Sequence, residues 1–108
     1  MSHRPDQVAS LLEHRVSEIL ARDFEAPEGS MVTVMRAEIS PDLKTAKIFV
    51  SVLPENRTGS ALEALRKQTR DVQRQLNSAL SMKFFPRITW ELDVTTRKYA
   101  AVDEALKK

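Results

Sequence analysis

Residues 31–52 read MVTVMRAEISPDLKTAKIFVSV, and this stretch decides the fold. Residues 31–39 are rich in Val, Met, Thr and Ile without a helical period, and residues 46–52 alternate between apolar and other side chains. Both patterns are typical of β-strands. Pro41-Asp42 lies between them and has the chemistry of a turn. The stretch therefore predicts an antiparallel hairpin.

The sequence marks the two strands of this hairpin but not which side chains lie on which face of the first one. Arg36 interrupts one face of the first strand and Thr33 the other, so the register stays open. Lys47 and Phe49 occupy the less apolar face of the second strand. An aromatic side chain there can stack on an unpaired base. A core or edge role for Phe49 is the alternative that we favour.

Residues 60–87 follow as a long helical segment. Ser60 with Glu63 three residues later predicts a capping box at its start. No Gly or Pro intervenes before Pro86, so the segment is either one long helix or two helices with a bend. One apolar stripe runs along it and consists of Leu62, Leu65, Thr69, Val72, Leu76 and Leu80.

Positive charge is concentrated in the same segment. Residues 1–54 carry six basic and eight acidic residues, whereas residues 55–108 carry eleven and seven. Such a basic face attracts polyanions, because each neutralised phosphate releases counterions. Arg66, Arg70 and Arg74 share one helix face although like charges at this spacing cost roughly 0.2–0.5 kcal/mol per pair. The alternative is a solvated face relieved by nearby acids.

The flanking segments complete an α+β pattern. An apolar stripe predicts a first helix over Pro5 to Asp23, and residues 87–93 alternate as a third strand in which Trp90 is a core residue. Residues 95–108 predict only a weak terminal helix or tail. We expect a single domain over residues 1–108, with a three-stranded sheet covered on one face by helices. The members of the first stripe are Val8, Leu11, Leu12, Val16, Ile19 and Leu20.

The composition excludes several classes of protein. The chain has no cysteine, and neither His3 nor His14 has companions at metal-ligand spacing, so we expect no metal and no cofactor. No nucleophile motif, phosphate-binding loop or dinucleotide fingerprint occurs, so we predict no enzymatic activity. No apolar run approaches the ~20 residues of a membrane span. The N-terminus does not read as a signal peptide, so we expect a cytoplasmic protein.

The element order, α-β-β-α-α-β, is similar to the type II KH arrangement, and the motifs narrow the resemblance. Over about residues 4–93 the chain resembles the ribosome-binding factor A family. The resemblance implies a monomeric factor that binds 16S rRNA in the immature 30S small ribosomal subunit and promotes its late maturation, with release by another factor. The motifs are Arg4-Pro5 with Val8, Glu18-Ile19-Leu20, Met31-Val32-Thr33-Val34, Ser40-Pro41-Asp42-Leu43 with Ala46-Lys47, and Pro86 before Ile88, Trp90 and Asp93.

The chain departs from this pattern in its glycines. Gly29 and Gly59 are its only two, so the G-x-x-G loop with which KH domains clamp single strands is absent. The family bends its helix pair at an Ala-x-Gly element, where this chain has Gln68-Thr69-Arg70, so the bend stays open. A protein-interaction module without direct RNA binding is the rival interpretation. The RNA-binding residues that we predict are Arg66, Lys67, Arg70, Arg74, Lys83, Arg87 and Lys47.

Overall fold

The computed structural model of the protein describes residues 5–80 and 85–94. The predicted RNA-binding residue Lys83 and the predicted terminal helix lie outside these residues. The elements follow the order helix, strand, strand, helical segment, strand. Their bounds are α1 Pro5–Asp23, β1 Met31–Ile39, β2 Thr45–Leu53, a 3₁₀ turn Glu55–Arg57, α2 Thr58–Ala79 and β3 Arg87–Leu92.

The three strands form one mixed sheet in the order β1-β2-β3. β1 and β2 are the two arms of the predicted antiparallel hairpin. β2 and β3 run parallel, because the chain crosses over through α2 before it returns to the sheet. The α+β prediction with a three-stranded sheet is therefore confirmed.

A β-bulge explains why the register of β1 was ambiguous. Val34 pairs with Val50 and Arg36 pairs with Phe49, so Met35 is an extra residue opposite a continuous β2. A bulge of this kind leaves one residue without a cross-strand partner. After it, the side chains again alternate between the same two faces of the sheet. Without Met35, exposed and half-buried side chains alternate along β1, and the half-buried ones are Val32, Val34, Ala37 and Ile39.

Helices α1 and α2 cover one face of the sheet and enclose a single hydrophobic core. The predicted α1 stripe is buried except for Leu11, which is 39% exposed although its neighbour Leu12 is fully buried. Neighbouring residues of an α-helix point about 100° apart, since there are 3.6 residues per turn. Leu12 points into the core and Leu11 does not, so the prediction for Leu11 was wrong. The buried core residues of the sheet are Ala46, Ile48, Val50, Val52 and Ile88.

The start of α2 also differs from the prediction. The helix begins at Thr58, with Arg57 as its cap residue and no side-chain capping bond, so Ser60 lies inside the first turn and forms no capping box with Glu63. The preceding 3₁₀ turn feeds directly into the helix. There the Thr58 hydroxyl donates a 2.7 Å hydrogen bond to the Glu55 carbonyl oxygen, which ties the start of the helix to the 3₁₀ turn.

The segment between β2 and β3 contains the 3₁₀ turn followed by one continuous α-helix. α2 is 22 residues long and passes through Gln68-Thr69-Arg70 without a break. The question of a bend at these residues is thereby answered for this chain. The absence of glycine there agrees with continuity, since glycine is about 1 kcal/mol less favourable than alanine in a helix interior.

Candidate nucleic-acid interface

The outer face of α2 brings four of the predicted RNA-binding residues together. Arg66, Lys67, Arg70 and Arg74 are all exposed on it. Arg66, Arg70 and Arg74 follow one another at about 6 Å along the helix axis, because successive members are four residues apart. We call these four residues the basic face. It is the largest grouping of predicted site residues in the described part of the chain.

The acids of α2 neutralise only part of this charge. The Lys67 ammonium lies 3.5 Å from the Glu63 carboxylate, and the Arg74 guanidinium lies 3.3 Å from that of Asp71. These pairs are solvent-exposed, so each contributes little to stability and opens readily. Among the described residues neither Arg66 nor Arg70 has a carboxylate within salt-bridge distance.

The net charge of α2 is positive, and it lies on exposed side chains that a phosphate can reach. The helix contains four basic and two acidic residues. A guanidinium with no acidic neighbour keeps its donors available, and its planar fork can hold two phosphate oxygens at once. Arg66 and Arg70 are consequently the two side chains best prepared for phosphate contact.

The inner side of α2 is fixed to the loop after α1 by Gln68. Its amide nitrogen donates to the Glu25 carbonyl oxygen at 3.0 Å, and its amide oxygen accepts from the Glu25 backbone N–H at 3.1 Å. The side chain thus forms hydrogen bonds with both backbone groups of Glu25, a loop residue that belongs to no helix or strand. This paired bond holds the loop against the middle of the helix.

Two further polar residues of α2 hold β3. The Gln73 amide nitrogen donates to the Pro86 carbonyl oxygen, while its amide oxygen accepts from the Ile88 backbone N–H, both at 3.0 Å. The Thr69 hydroxyl oxygen accepts a 2.7 Å hydrogen bond from the Trp90 indole. Sequence reasoning missed these contacts. The available signal was that polar side chains adjoin the apolar stripe of the helix.

Trp90 and Phe49 have intermediate positions in the fold. Trp90 was predicted to be a core residue and is instead half-buried against the core, with its indole nitrogen paired to α2. Phe49 lies on the uncovered face of the sheet, where the Arg36 guanidinium stands 3.8 Å from its ring centroid. Arg36 is also paired with Glu38. The ring thus has a cation over it, outside the core and on the central strand of the sheet, so the favoured core or edge role for Phe49 was wrong.

Lys47 and Arg87 lie on this uncovered sheet face and not on the basic face. Lys47 is exposed opposite Glu38 of β1, and Arg87 is exposed beside Thr45 of β2. The core and the sheet separate these two side chains from α2. The predicted set therefore divides into two surfaces on opposite sides of the domain, with Lys83 outside the described residues.

The hairpin turn lowers the pKa of the Asp42 carboxylate. The Ser40 hydroxyl donates a 2.6 Å hydrogen bond to the Asp42 carboxylate, and the Lys44 backbone N–H donates another at 3.0 Å. Both bonds favour the ionised form, so the pKa of Asp42 lies below its ordinary value of 3.8. The turn that the Pro41-Asp42 pair predicted is thus stabilised by its own side chains.

The described residues contain little else that points to another chemistry. His14 is exposed, with its ring nitrogen 2.8 Å from the Glu18 carboxylate. Within residues 5–80 and 85–94, no three His, Cys, Asp or Glu side chains lie close enough to hold a metal ion. Neither described helix is long and apolar enough to cross a membrane.

The fold and the basic face together define a KH-like α+β domain of type II, with its helices on one side of a three-stranded mixed sheet. The profile of the ribosome-binding factor A family matches residues 4–106. The protein belongs to the ribosome-binding factor A family.

Individual relatives and solved structures agree with this assignment. The chain is 36% identical over 110 residues to ribosome-binding factor A of Mesorhizobium japonicum, covering 98% of this chain and 75% of that protein. It is 33% identical over 107 residues to that of Protochlamydia amoebophila, covering 97% and 82%. The crystal structure of the Thermus thermophilus protein matches with a TM-score of 0.73 at 19% identity, covering 83% and 97%. A homology model of a Thermus thermophilus ribosome-binding factor A, fitted into the cryo-EM map of a 30S complex, matches with a TM-score of 0.68 at 22% identity, covering 79% and 90%.

Proposed function

We propose that this protein binds 16S rRNA in the immature 30S small ribosomal subunit and promotes its late maturation, acting as a monomer in the bacterial cytoplasm without catalysing a reaction. Family membership supports the ribosomal partner, and a relative has been fitted into the map of a 30S complex. The observation that carries the RNA contact is the basic face, where Arg66 and Arg70 are exposed and have no acidic partner among the described residues.

The mechanism requires binding energy alone. Phosphates of the rRNA contact the basic face and release their condensed counterions. The protein stabilises one rRNA arrangement when it binds that arrangement better than the alternatives. The hydrogen bonds of Gln68, Thr69 and Gln73 hold α2 in place, so the arginines are presented at fixed spacing. Release would then require another factor that changes the rRNA or competes for it.

The uncovered sheet face is the second surface that this proposal includes. Lys47 and Arg87 lie there with Arg36, but Glu38 and Glu91 lie on the same face and reduce its net charge. We therefore assign the main phosphate contact to α2 and a smaller contribution to Lys47 and Arg87. Lys83 follows α2 closely in the sequence, and we keep it among the proposed RNA-binding residues because of its positive charge.

Sedimentation of the purified protein with precursor small subunits, mature small subunits and large subunits across a salt series tests the proposal. We expect selective pelleting with small subunits that weakens steeply as salt rises. Arg66→Glu/Arg70→Glu should abolish it at moderate salt. Lys44→Glu/Arg57→Glu changes the net charge equally outside the basic face and should leave most binding intact, although Lys44 adjoins Arg87. If both double variants behave alike, the basic face is not the docking surface.

A protein-interaction module is the alternative, and one observation favours it. Met31 and Leu53 form a cross-strand pair and are 64% and 61% exposed at the end of the sheet. An apolar pair of this kind can contribute to a protein interface. Binding through it would depend weakly on salt, whereas several phosphate contacts produce a steep dependence. The same salt series therefore separates the two functions.

A further inference from the structure

A groove of about 190 Å³ lies between the end of α1 and the middle of α2. Its apolar lining comes from Ile19, Phe24 and Val72, and its polar lining includes Gln75, Asp71 and Arg74. Phe24 is half-buried and packs on the edge of the core, so its position is fixed by the fold. The groove is separate from the uncovered sheet face and opens beside the basic face, with which it shares Arg74.

The groove suits a flat, polar-edged group better than an anion. Arg74 is paired with Asp71, and Arg22, which reaches Gln75 across the groove at 2.8 Å, is itself paired with Asp23. The charges at the rim therefore cancel. A phosphate gains little in such a place, whereas a neutral ring with hydrogen-bonding edges meets amide and carboxylate acceptors above an apolar, aromatic surface.

The size of the groove narrows the ligand further. Sites for drug-sized molecules and cofactors span about 300–1,000 Å³. A groove of about 190 Å³ is too small for a whole cofactor and has room for a single planar ring system. Unpaired bases of RNA are recognised in this way, by stacking on aromatic side chains and by hydrogen bonds to their edges.

We propose that the groove between α1 and α2 accepts one unpaired nucleobase of the RNA whose phosphates contact the basic face. This inference rests on the proposed function and adds a preference for single-stranded RNA. The base stacks on Phe24, its edge bonds the Gln75 amide, and the adjoining phosphate lies toward Arg70 of the basic face.

Entry of a base requires only small local changes. The Arg22–Gln75 hydrogen bond and the Arg74–Asp71 ion pair cross or border the opening, and both are solvent-exposed. Exposed pairs of this kind contribute little to stability and therefore open readily. Opening them leaves the Gln68 bonds to Glu25 in place, so the loop after α1 keeps its position.

The test compares a short unstructured oligoadenylate with an RNA duplex of equal length at one low salt concentration. Phe24→Leu keeps most of the packing volume and removes the aromatic surface, and Gln75→Leu removes the amide. Each should weaken oligoadenylate binding by about fivefold or more, as loss of one stacked base does, and leave duplex binding unchanged. Gln7→Leu makes the same chemical change as Gln75→Leu on an exposed position of α1 and should have no effect. Thermal melts verify that every variant is folded.

NMR titration with AMP gives an independent measurement on the wild-type protein. Addition of AMP should shift the Phe24 ring and Gln75 amide signals selectively. If AMP shifts neither group, or if Phe24→Leu and Gln75→Leu bind oligoadenylate as the wild type does, the groove is not a base site. Either result leaves the proposed function standing if Arg66→Glu/Arg70→Glu still abolishes duplex and subunit binding. Loss of that effect overturns the function itself.

Discussion

The indole nitrogen of Trp90 donates a 2.7 Å hydrogen bond to the hydroxyl oxygen of Thr69, which in turn donates to the Leu65 carbonyl oxygen at 2.7 Å. The hydroxyl therefore links β3 to the middle of α2 while it satisfies a group of the helix itself. The contact lies one residue before Arg70, in the uninterrupted middle of the helix. A continuous helix places the hydroxyl where the indole can reach it.

Thr69→Val should lower the free energy of unfolding by about 1 kcal/mol. The substitution preserves shape but leaves the half-buried Trp90 N–H without its acceptor, which costs about 1–3 kcal/mol when burial is complete. Chemical denaturation of the wild type, Thr69→Val and Thr69→Ser measures it. Since serine keeps the hydroxyl, Thr69→Val should be less stable than Thr69→Ser, and the opposite order contradicts the assignment.

Gln73→Leu should destabilise the protein by about 1–3 kcal/mol. The change removes the acceptor for the Ile88 backbone N–H and the donor to the Pro86 carbonyl oxygen, and leaves both backbone groups unpaired. Hydrogen exchange at the Ile88 amide should accelerate in the same variant. Gln7→Leu is the control on an exposed helix position. Unchanged exchange at Ile88 would show that the side chain does not hold β3.

Arg70→Gly tests the continuity of α2. Glycine in an exposed helix interior costs about 1 kcal/mol relative to alanine, so Arg70→Gly should unfold at lower denaturant than Arg70→Ala. The comparison with alanine removes the effect of losing the charge. Equal stability of the two variants would mean that residue 70 does not lie in a helix interior.

Asp42 should make the stability of the hairpin turn depend on pH. Because the pKa of Asp42 is lowered by the Ser40 hydroxyl and the Lys44 N–H, its contribution is complete above the ordinary value of 3.8 and is lost as pH falls through the lowered value. At neutral pH the melting temperature of the wild type should be higher than that of Asp42→Asn. The difference should disappear in strong acid. A gap independent of pH contradicts the role of ionisation.

The salt dependence of RNA binding should count the contacts of the basic face. For single strands, the slope of log K against log salt is about −0.7 per neutralised phosphate. Arg66→Ala/Arg70→Ala should therefore reduce the slope by about 1.4 if each side chain contacts one phosphate. Fluorescence anisotropy with labelled oligoadenylate measures both slopes. Weaker binding with an unchanged slope would assign these residues a role other than phosphate contact.

The sequence was sufficient to predict the elements whose hydrophobic period is long and regular. The α1 stripe apart from Leu11, the strands of the hairpin and the apolar positions of α2 were identified from spacing, because burial on one face imposes a period of 3.6 or 2 on the side chains. The exposure of Arg66, Lys67, Arg70 and Arg74 also followed, since each lies off the apolar stripe. The burial or exposure of these side chains depends only on the position of each residue within its own helix or strand.

Other features depend on contacts between distant parts of the chain. The bulge at Met35 becomes visible only when β1 is placed against β2. The division of the basic residues between two surfaces depends on the order of strands in the sheet, which places Lys47 and Arg87 away from α2. The Gln68 and Gln73 contacts join residues 43 and 15 positions apart along the chain, so no local pattern predicts them.

The inner polar residues of α2 have a mechanical consequence. Gln68 holds the loop after α1, Thr69 and Gln73 hold β3, and no break in the helix separates these attachments from Arg66 and Arg70. A load applied to the arginines by a bound partner is therefore transmitted to the sheet without an intervening hinge. Docking should therefore turn α2 and the sheet together, as one rigid body.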